Sequence, residues 1–229
     1  MTASATASAT AAGTGLDTAL VLTRVGEHLA YSGLAVGIAV LLAVPAGLLI
    51  GHVGRGAWLI AGANALRALP SLGLMTLLVL LLGAGLVPPT IALVLLAIPP
   101  LLSHTAAGIA TADRAAVDAA YAMGMTGRQV LLQVRIPVAL PLMVAGLRSA
   151  VLQVVATATI AAFVNLGGVG RFIFDGLAVR DYDRVVLGAV LVAALALLLD
   201  GLLALVAKAT APGRVRGLRP RSPQGSTRP

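Results

Sequence analysis

Few residues of this chain could carry out chemistry, and they form no catalytic pattern. The three histidines, His28, His52 and His104, lie far apart in the sequence, and none belongs to a pair with metal-ligand spacing. The chain contains no cysteine, which excludes thiolate catalysis, disulfides and cysteine metal sites. It also contains no glycine-rich phosphate-binding loop. We therefore predict no enzyme activity, no ATP hydrolysis by this chain itself, and no metal or cofactor site.

The composition indicates an integral membrane protein. Of the 229 residues, 59% are hydrophobic and 10% are charged, and the mean hydropathy is +1.01, outside the range of ordinary soluble domains. A net charge of +8 is also found in nucleic-acid-binding proteins. Here, however, many of the positive charges lie in a tail without acidic residues: Lys208, Arg214, Arg216, Arg219, Arg221 and Arg228. Such a tail is typical of a cytoplasmic anchor near anionic lipid, so the expected partner is the lipid bilayer and not a nucleic acid.

The apolar runs predict an all-α, polytopic membrane protein with five transmembrane helices. We place these spans at about 29–51, 60–82, 89–110, 142–164 and 185–207. The run from Ala68 to Ala112 lacks charge and is about twice the ~20 residues that one span needs, so it must contain two spans. We predict that residues 1–15 form a disordered lead, because they are small residues of low complexity and lack the basic region of a signal peptide. We assign residues 16–208 to the transmembrane domain and residues 209–229 to the basic cytoplasmic tail.

Prolines and glycines predict the shapes of these spans. Pro45 predicts a kink in the first span, Pro70 a bend in the second and Pro99-Pro100 a bend in the third, and bent spans can line a pathway. Gly33-x-x-x-Gly37 and Gly47-x-x-x-Gly51 predict faces for close helix contact. The segment before the first span, 16–29, has the mixed pattern of an interfacial helix. For His104, a contact between helices is favoured over a role in the pathway.

Residues 111–141, here called the coupling stretch, form the long polar interruption of this apolar chain. We predict two short helices here. Helical spacing places four residues on one side of the first helix: Val117, Ala120, Tyr121 and Gly124. It should end at Gly124, because glycine readily adopts the left-handed conformation that follows many helices. Thr126 and Gln129 have the spacing of a capping box and predict the second helix, which we expect Pro137 to stop. Two helices joined at a glycine elbow make a compact knob suited to contact with another protein, whereas the alternative is an ordinary amphipathic surface loop.

The spacing in the coupling stretch resembles the EAA loop of ABC importer permeases. That family pattern is EAA, three residues, Gly, nine residues and then Ile-x-Leu-Pro. Here the same spacing holds Asp118-Ala119-Ala120, Gly124 and Val134-x-Ile136-Pro137, with conservative changes at three positions. The resemblance implies docking in a groove of a cytoplasmic ATP-binding subunit, with the contacts carried by Asp118, Ala119, Ala120, Gly124, Gly127, Arg128, Val134, Ile136 and Pro137.

Residues 25–207 are also similar to osmoprotectant-type permeases. The matching residues are His28-Leu29, Pro70-Ser71, Ala161-Ala162-Phe163, Gly167-Gly168-Val169-Gly170 and Asp200. This resemblance implies a bacterial cytoplasmic membrane protein that imports glycine betaine, carnitine, choline or proline betaine. It also implies an extracytoplasmic solute-binding protein and a second permease, either another copy or a sister chain. With aromatic residues at only 3%, the chain is poorly equipped to build an aromatic cage for a quaternary ammonium, so substrate choice should lie mainly in the binding protein.

Three alternatives remain open at this point. A permease of a methionine or other amino-acid importer shares the loop and the five-span plan. A self-sufficient secondary transporter or channel is disfavoured, because the sequence shows neither the internal repeats nor the several intramembrane ionisable residues expected of that class. A membrane scaffold without transport activity is the third.

The distribution of lysine and arginine predicts the orientation. With the N-terminus outside and the C-terminus cytoplasmic, the basic tail lies at the cytoplasmic face together with Arg55, Arg67, Arg114, Arg128, Arg135 and Arg148. The outer side then has only Arg24, Arg171, Arg180 and Arg184. This orientation also places the coupling stretch in the cytoplasm, where an ATPase could reach it.

Two further groups of residues are candidates for the pathway and its inner mouth. The pathway and gate candidates are Pro70, Ser71, Thr157, Thr159, Phe163, Asn165, Gly167, Gly168 and Gly170. The loop 165–184 has balanced charges that suggest local pairing, and we predict that it docks the binding protein. Arg67, Arg148 and Asp200 lie at similar depths near the inner mouth, and because a lone carboxylate is costly there we predict that Asp200 pairs with Arg148 or, failing that, with Arg67.

Overall fold

A computed structural model describes residues 18–210, and within that range the chain is helical and has no β-strand. The predicted disordered lead lies outside the described residues, as does all but the first two residues of the predicted basic tail. The all-α prediction is therefore confirmed for the described part of the chain.

Nine α-helices follow one another in the described range. They are α1 (Thr18–Val53), α2 (Ala57–Ala65), α3 (Ser71–Leu82), α4 (Val87–Ala110), α5 (Arg114–Ala122), α6 (Gly127–Val130), α7 (Ile136–Ala161), α8 (Gly170–Val179) and α9 (Tyr182–Thr210). Short 3-10 turns extend α2 over Leu66–Ala68 and α7 over Ala162–Val164. A π-helical segment, Leu131–Arg135, joins α6 to α7 without a break.

Four uninterrupted helical stretches are long and apolar enough to cross a membrane, and a bent pair makes five if it counts as one span. The four are α1, α4, the stretch Gly127–Val164 and α9. The pair is Ala57–Ala68 with Ser71–Leu82, which meet at 94°. Pro70 stands at this break in an extended conformation and cannot donate a backbone hydrogen bond, as expected for the predicted bend. By contrast, α1 and α4 continue as helices through Pro45 and Pro99-Pro100.

The N-terminal part of α1 differs from the sequence interpretation. Instead of a separate interfacial helix before a span at 29–51, one helix of 36 residues runs from Thr18 to Val53. The part of α1 before residue 29 contains no proline, and the helix continues through its one glycine, Gly26. The first span therefore extends well beyond the apolar run, and its polar residues Arg24, Glu27 and His28 lie on the same rod.

The core is built from α1, α4 and α7, with α4 at the centre. In the most apolar window of α4, 67% of residues are buried, compared with 22% for α1 and 6% for α9. Close approach depends on glycines: a Cβ added to Gly47 or Gly51 would come within 2.7 Å of Thr105 or Ile109 of α4. The predicted helix-contact face of Gly47 and Gly51 is thus confirmed. The other predicted face, that of Gly33 and Gly37, has open space around it among the described residues.

The helices define two ends of the molecule. At the coupling end, α1 and α4 finish and the coupling stretch leads into α7. At the loop end, the first turns of α1 meet the segment 162–184 that connects α7 to α9. His104 lies in the last third of α4, nearer the coupling end, and its Cβ would lie 2.6 Å from a Cβ added to Gly146 of α7, so the preferred interpretation as a helix-contact histidine fits the structure.

Candidate functional site: the coupling stretch and the loop end

The first helix of the coupling stretch is capped and packed by its own residues. Asp113 is the N-cap of α5, and its carboxylate accepts a hydrogen bond of 3.2 Å from the backbone N–H of Ala115. Val117 and Ala120 of α5 bury against Val130 of α6, with partly buried Ala112, Met125 and Val134 around them. Tyr121 was expected on this same side but is 45% exposed. At one residue beyond Ala120 it is rotated by about 100° around the helix, away from the small core.

Gly124 forms the predicted left-handed turn after α5. Its φ is +83°, its N–H donates to the carbonyl of Tyr121 at 2.9 Å, and the N–H of Met125 donates to the carbonyl of Ala120 at 3.1 Å. These two bonds are those of a Schellman motif, and Met125 supplies the apolar contact that accompanies it. Within residues 18–210, no atom outside the immediate neighbours lies within 4 Å of a Cβ added to Gly124, so the need for glycine here comes from the backbone alone.

The second helix begins as predicted but does not end at Pro137. Thr126 accepts a hydrogen bond of 3.4 Å from the N–H of Gln129, and the Gln129 side chain accepts one of 2.8 Å from the N–H of Thr126, so the capping box is complete. The helix then continues through the π segment into α7 as one stretch, Gly127–Val164. The prediction that Pro137 stops it was wrong. Pro137 lies in the first turn of α7, directly after the π segment has changed the hydrogen-bond spacing, so its missing N–H disrupts little.

The residues named by the resemblance divide into two sets. Asp118, Ala119, Gly124, Arg128 and Pro137 are exposed, whereas Ala120 is buried and Gly127, Val134 and Ile136 are half-buried. The surface also contains an apolar residue that the sequence interpretation missed, Met123, with 76% exposure. Its position just before the glycine turn was the signal that could have identified it, because a side chain at the tip of a tight turn has few neighbours.

Arg135 and His52 connect the coupling stretch to α1, a role that the sequence interpretation did not give to either residue. The guanidinium of Arg135 donates hydrogen bonds to the carbonyls of Gly51 and His52, at 3.5 Å and 3.3 Å. The Nε2 atom of His52 lies 3.6 Å from a Cβ added to Gly127. A cavity of about 300 Å³ separates the end of α1 from α5 and is lined in part by Arg114, Asp118 and Arg135.

Two long-range hydrogen bonds hold the loop end together. The Glu27 carboxylate accepts hydrogen bonds of 2.9 Å from the N–H of Gly168 and from the Arg24 guanidinium. His28 is almost fully buried, and its Nε2 lies 3.0 Å from the carbonyl oxygen of Val155. Because a carbonyl only accepts, this nitrogen donates, and the ring is fixed against α7. The sequence pattern marked His28 as part of a resemblance but did not predict either partner.

The predicted gate residues lie mainly in this loop end. Gly167 and Gly168 have φ values of +90° and +75°, and Asn165 is left-handed with a φ of +69°. A Cβ added to Gly170 would collide with the carbonyl oxygen of Thr159. Other residues therefore approach the backbone of this glycine-rich loop closely at Gly168 and Gly170.

The remaining pathway candidates are more dispersed. Thr157 donates to the carbonyl of Gln153 within its own helix at 2.7 Å, and the ring of Phe163 lies 5.5 Å from that of Phe174 in α8. Pro70 and Ser71 mark the break between α2 and α3. The structure thus groups the glycines and Phe163 at the loop end, and α3, which begins at Ser71 directly after Pro70, contacts the turn Ala162–Val164.

Charge pairing in the loop 165–184 is local, as expected, but incomplete. Asp175 forms ion pairs with Arg171, at an N···O distance of 3.0 Å, and with Arg184, at 3.6 Å. Arg184 also stands 5.8 Å from the centre of the Phe172 ring. Arg180 and Asp183 form no ion pair with any residue of the range 18–210.

Asp200 pairs with Arg148, the first of the two partners considered. The guanidinium donates two hydrogen bonds to the carboxylate, at 2.5 and 2.7 Å, which joins α9 to α7 in a bidentate pair. Arg67 lies on the short turn after α2 and makes no ion pair within the described residues. Of the three charged residues near the predicted inner mouth, Asp200 and Arg148 therefore form the pair, and Arg67 stays outside it.

Comparison with known proteins agrees with this architecture. The family model described as "Binding-protein-dependent transport system inner membrane component" matches residues 39–212. Among curated proteins, the chain is 34% identical to the glycine betaine/carnitine/choline transport system permease protein OpuCB of Bacillus subtilis, over 87% of this chain and 92% of that one. It is 32% identical to the osmoprotectant import permease protein OsmY of Salmonella typhimurium, over 82% and 81%.

Solved structures show the same fold at lower sequence identity. An inward-facing structure of the MetNI methionine ABC transporter superposes with a TM-score of 0.76 at 20% identity, covering 85% of this chain and 98% of the other. An amino acid ABC transporter gives a TM-score of 0.66 at 21% identity, covering 84% and 94%. The family match spans most of the transmembrane domain and includes the whole coupling stretch, and on this basis the chain belongs to the family of inner membrane components of binding-protein-dependent transport systems.

Proposed function

We propose that this chain is the permease subunit of an ABC importer for a small compatible solute such as glycine betaine, carnitine, choline or proline betaine. The observation that carries the proposal is the 34% identity, over 87% of the chain, to a permease named for glycine betaine, carnitine and choline transport. A choline transport system permease of Bacillus subtilis, 33% identical over the same share of the chain, supports the same solute class.

A separate ATP-binding subunit drives transport by docking on the coupling stretch. Three features of this surface support the assignment. Its shape is fixed by the capping box and the Schellman turn, it exposes the apolar side chain of Met123, and the charged residues Asp118 and Arg128, five positions before and after Met123 in the chain, are also exposed. An apolar anchor ringed by charged residues is the usual composition of a protein interface.

An extracytoplasmic solute-binding protein delivers the solute to the loop end. Two permeases, either two copies of this chain or this chain with a sister permease, enclose the pathway in the cytoplasmic membrane. The N-terminus lies outside and the C-terminus inside, in accordance with the arginine distribution. The exposed leucines of the bent pair, such as Leu80 and Leu81, supply apolar surface for lipid or for the second permease.

The solute class is tested by reconstituting the permease with its ATP-binding subunit in proteoliposomes, with the binding protein added outside. We expect ATP-dependent uptake of labelled glycine betaine, competition by carnitine, choline or proline betaine, and no uptake of labelled methionine. Methionine is the appropriate comparison because the solved methionine transporter shares the fold. Uptake of methionine alone would contradict the proposed solute class, and uptake without ATP would indicate a secondary transporter.

The orientation is tested with single cysteines, which the natural chain lacks. Arg180→Cys at the loop end and Arg114→Cys in the coupling stretch are both exposed positions. We expect a membrane-impermeant thiol reagent to label Arg180→Cys from the outside of intact cells and Arg114→Cys only after the membrane is opened. The reverse pattern would invert the topology and exclude ATPase docking on the coupling stretch.

A further inference from the structure

We propose that Arg135 is a positioning residue that attaches α1 to the coupling stretch, so that movement of this stretch is transmitted directly into the first span. The inference rests on the proposed function, because it assumes that an ATP-binding subunit moves the coupling stretch. It concerns the unspecified position x of Val134-x-Ile136-Pro137, to which the EAA pattern assigns no residue type.

The attachment uses groups that a helix end leaves unpaired. The last four carbonyls of any α-helix have no partner within the helix, and the aligned peptide dipoles place partial negative charge there. Arg135 donates to two of the final carbonyls of α1, those of Gly51 and His52. A cation that caps a helix C-terminus in this way holds the helix end and not a single side chain, so a displacement of Arg135 moves α1 as a unit.

The position of Arg135 in the chain suits it for this task. It is the last residue of the π segment Leu131–Arg135, between the coupling stretch and the long transmembrane part of α7. The segment is continuous with the second coupling helix, so Arg135 moves with that helix. A π segment inside an α-helix is frequently found at functional sites.

A second contact supports the same attachment. The ring of His52 lies against Gly127, the first residue of α6, with 3.6 Å from Nε2 to a Cβ added at that glycine. The end of α1 is therefore held at the first and at the last residue of the helical segment Gly127–Arg135, by His52 against Gly127 and by the hydrogen bonds of Arg135. A larger residue at position 127 would press on the His52 ring, which gives this glycine a role besides its place in the capping box.

The space around these contacts shows that the end of α1 is not simply packed against the whole stretch. A cavity of about 300 Å³ separates it from Val117 and Asp118 of α5. Force from the coupling stretch therefore reaches α1 through Arg135 and His52 and not through continuous packing with α5. The Nε of Arg135 and the Nδ1 of His52 are buried and have no hydrogen-bond partner among residues 18–210, so the attachment rests on the two guanidinium hydrogen bonds and on the contact of His52 with Gly127.

The test compares Arg135→Gln, Arg135→Lys and the control Arg55→Gln in the assembled transporter with its binding protein. Arg55 is exposed, lies next to the end of α1 and makes no ion pair in the described part of the chain. The readouts are recovery of the ATP-binding subunit with the permease, ATP hydrolysis with and without the binding protein, and solute uptake per ATP hydrolysed. We expect Arg135→Gln to assemble and to hydrolyse ATP, but to lower uptake per ATP by at least about fivefold, the lower end of typical coupling between sites.

Arg135→Lys should recover much of that ratio, because an ammonium group also donates to carbonyls at a helix end, and Arg55→Gln should match the natural chain. A purely structural role would lower assembly, hydrolysis and uptake together and leave the ratio unchanged, and an unchanged ratio in Arg135→Gln would overturn the inference. Failure of the proposed function has a different signature, since the natural chain itself would then show no ATP-dependent uptake.

A distance measurement decides the matter if Arg135→Gln fails to assemble. Spin labels at Arg55→Cys and Gln133→Cys, with Arg135 intact, report the separation of the end of α1 from the coupling stretch. We expect this distance to stay the same in the nucleotide-free and ATP-bound transporter, while the distance between the coupling stretches of the two permeases changes. A change in the first distance, or no change in the second, would show that Arg135 does not transmit movement to α1.

Discussion

The two ends of this molecule are held together by different kinds of contact. At the coupling end, most stabilising bonds join residues a few positions apart, as in the capping box of Thr126 and Gln129 and the turn at Gly124. At the loop end, the main bonds join residues 141 and 127 positions apart, Glu27 to Gly168 and His28 to Val155. The coupling stretch can therefore keep its shape while it moves against a partner, whereas the loop end keeps its shape only while α1, α7 and the glycine-rich loop stay together.

The largest expected effect is at the loop end, for Gly170→Ala. The added Cβ collides with the Thr159 carbonyl and the Ala162 side chain, and a backbone clash cannot be relieved by a change of rotamer. We expect a loss of about 3 kcal/mol in the free energy of unfolding in detergent, the upper part of the usual range for overpacking. The matched control is Gly201→Ala in α9, which has nothing within 4 Å and should be neutral or slightly stabilising. Equal stability of the two variants would mean that α7 and α8 are not in close contact at Gly170.

The next effect in size is expected for Glu27→Ala, which removes the acceptor of the Gly168 N–H. We expect a loss of about 1–2 kcal/mol in the free energy of unfolding, the contribution of a hydrogen bond to a partly exposed charged group. We also expect a cysteine placed at position 166, in the Leu166→Cys variant, to react faster with a thiol reagent once the loop is no longer held by Glu27. Glu27→Gln is the comparison, because the amide oxygen still accepts the bond while the charge that faces Arg24 is lost. If both variants behave like the natural chain in thermal unfolding and labelling, Glu27 does not hold the loop.

At the coupling end, Gly124→Val should cost about 1–2 kcal/mol of stability, because valine is forced into a left-handed conformation. We expect a larger effect on function than on stability, seen as loss of ATP hydrolysis stimulated by the binding protein or loss of the ATP-binding subunit from the purified complex. Gly124→Asn is the control, since asparagine tolerates this conformation and the space around the position is open. Normal assembly and normal stimulated hydrolysis in Gly124→Val would contradict the coupling role.

The smallest effect is expected at the half-buried pair of Arg148 and Asp200, which joins α7 to α9. Arg148→Gln and Asp200→Asn should each lower the midpoint of thermal unfolding slightly, and the double variant should lose less than the sum. This double-mutant cycle isolates the pair from the packing of α7 on α9. Strictly additive losses would show that the bidentate geometry contributes no interaction energy.

The contrast between the ends also explains how much could be predicted from the sequence. The turn at Gly124 and the capping box depend on residue types within a few positions, so spacing alone was enough to identify them. The pairing of Asp200 with Arg148 followed from their similar depth and the cost of a lone carboxylate in an apolar layer. The partners of Glu27 and His28 could not be predicted, because nothing local indicates which of many distant backbone groups a side chain will meet.

Pro137 and Arg135 illustrate why the remaining errors occurred. A proline after a helical pattern usually marks its end, but here a π segment, which has no signature in the sequence, precedes Pro137 and the helix continues. Arg135 was counted among the basic residues that predict orientation, and its contact with the end of α1 depends on how α1 and α7 pack. Both cases show tertiary structure overriding a correct local rule.

The continuous helix from Gly127 to Val164 has a consequence for the timing of movements at the two membrane surfaces. With 38 residues it is about 57 Å long, nearly twice the ~30 Å of a hydrocarbon core, so one rod reaches from the coupling stretch to the loop end. If such a rod pivots near its midpoint, a tilt of about 5° displaces its two tips by about 2.5 Å in opposite directions. Opening on one side and closing on the other would then be a single event, with no relay of successive conformational changes between them.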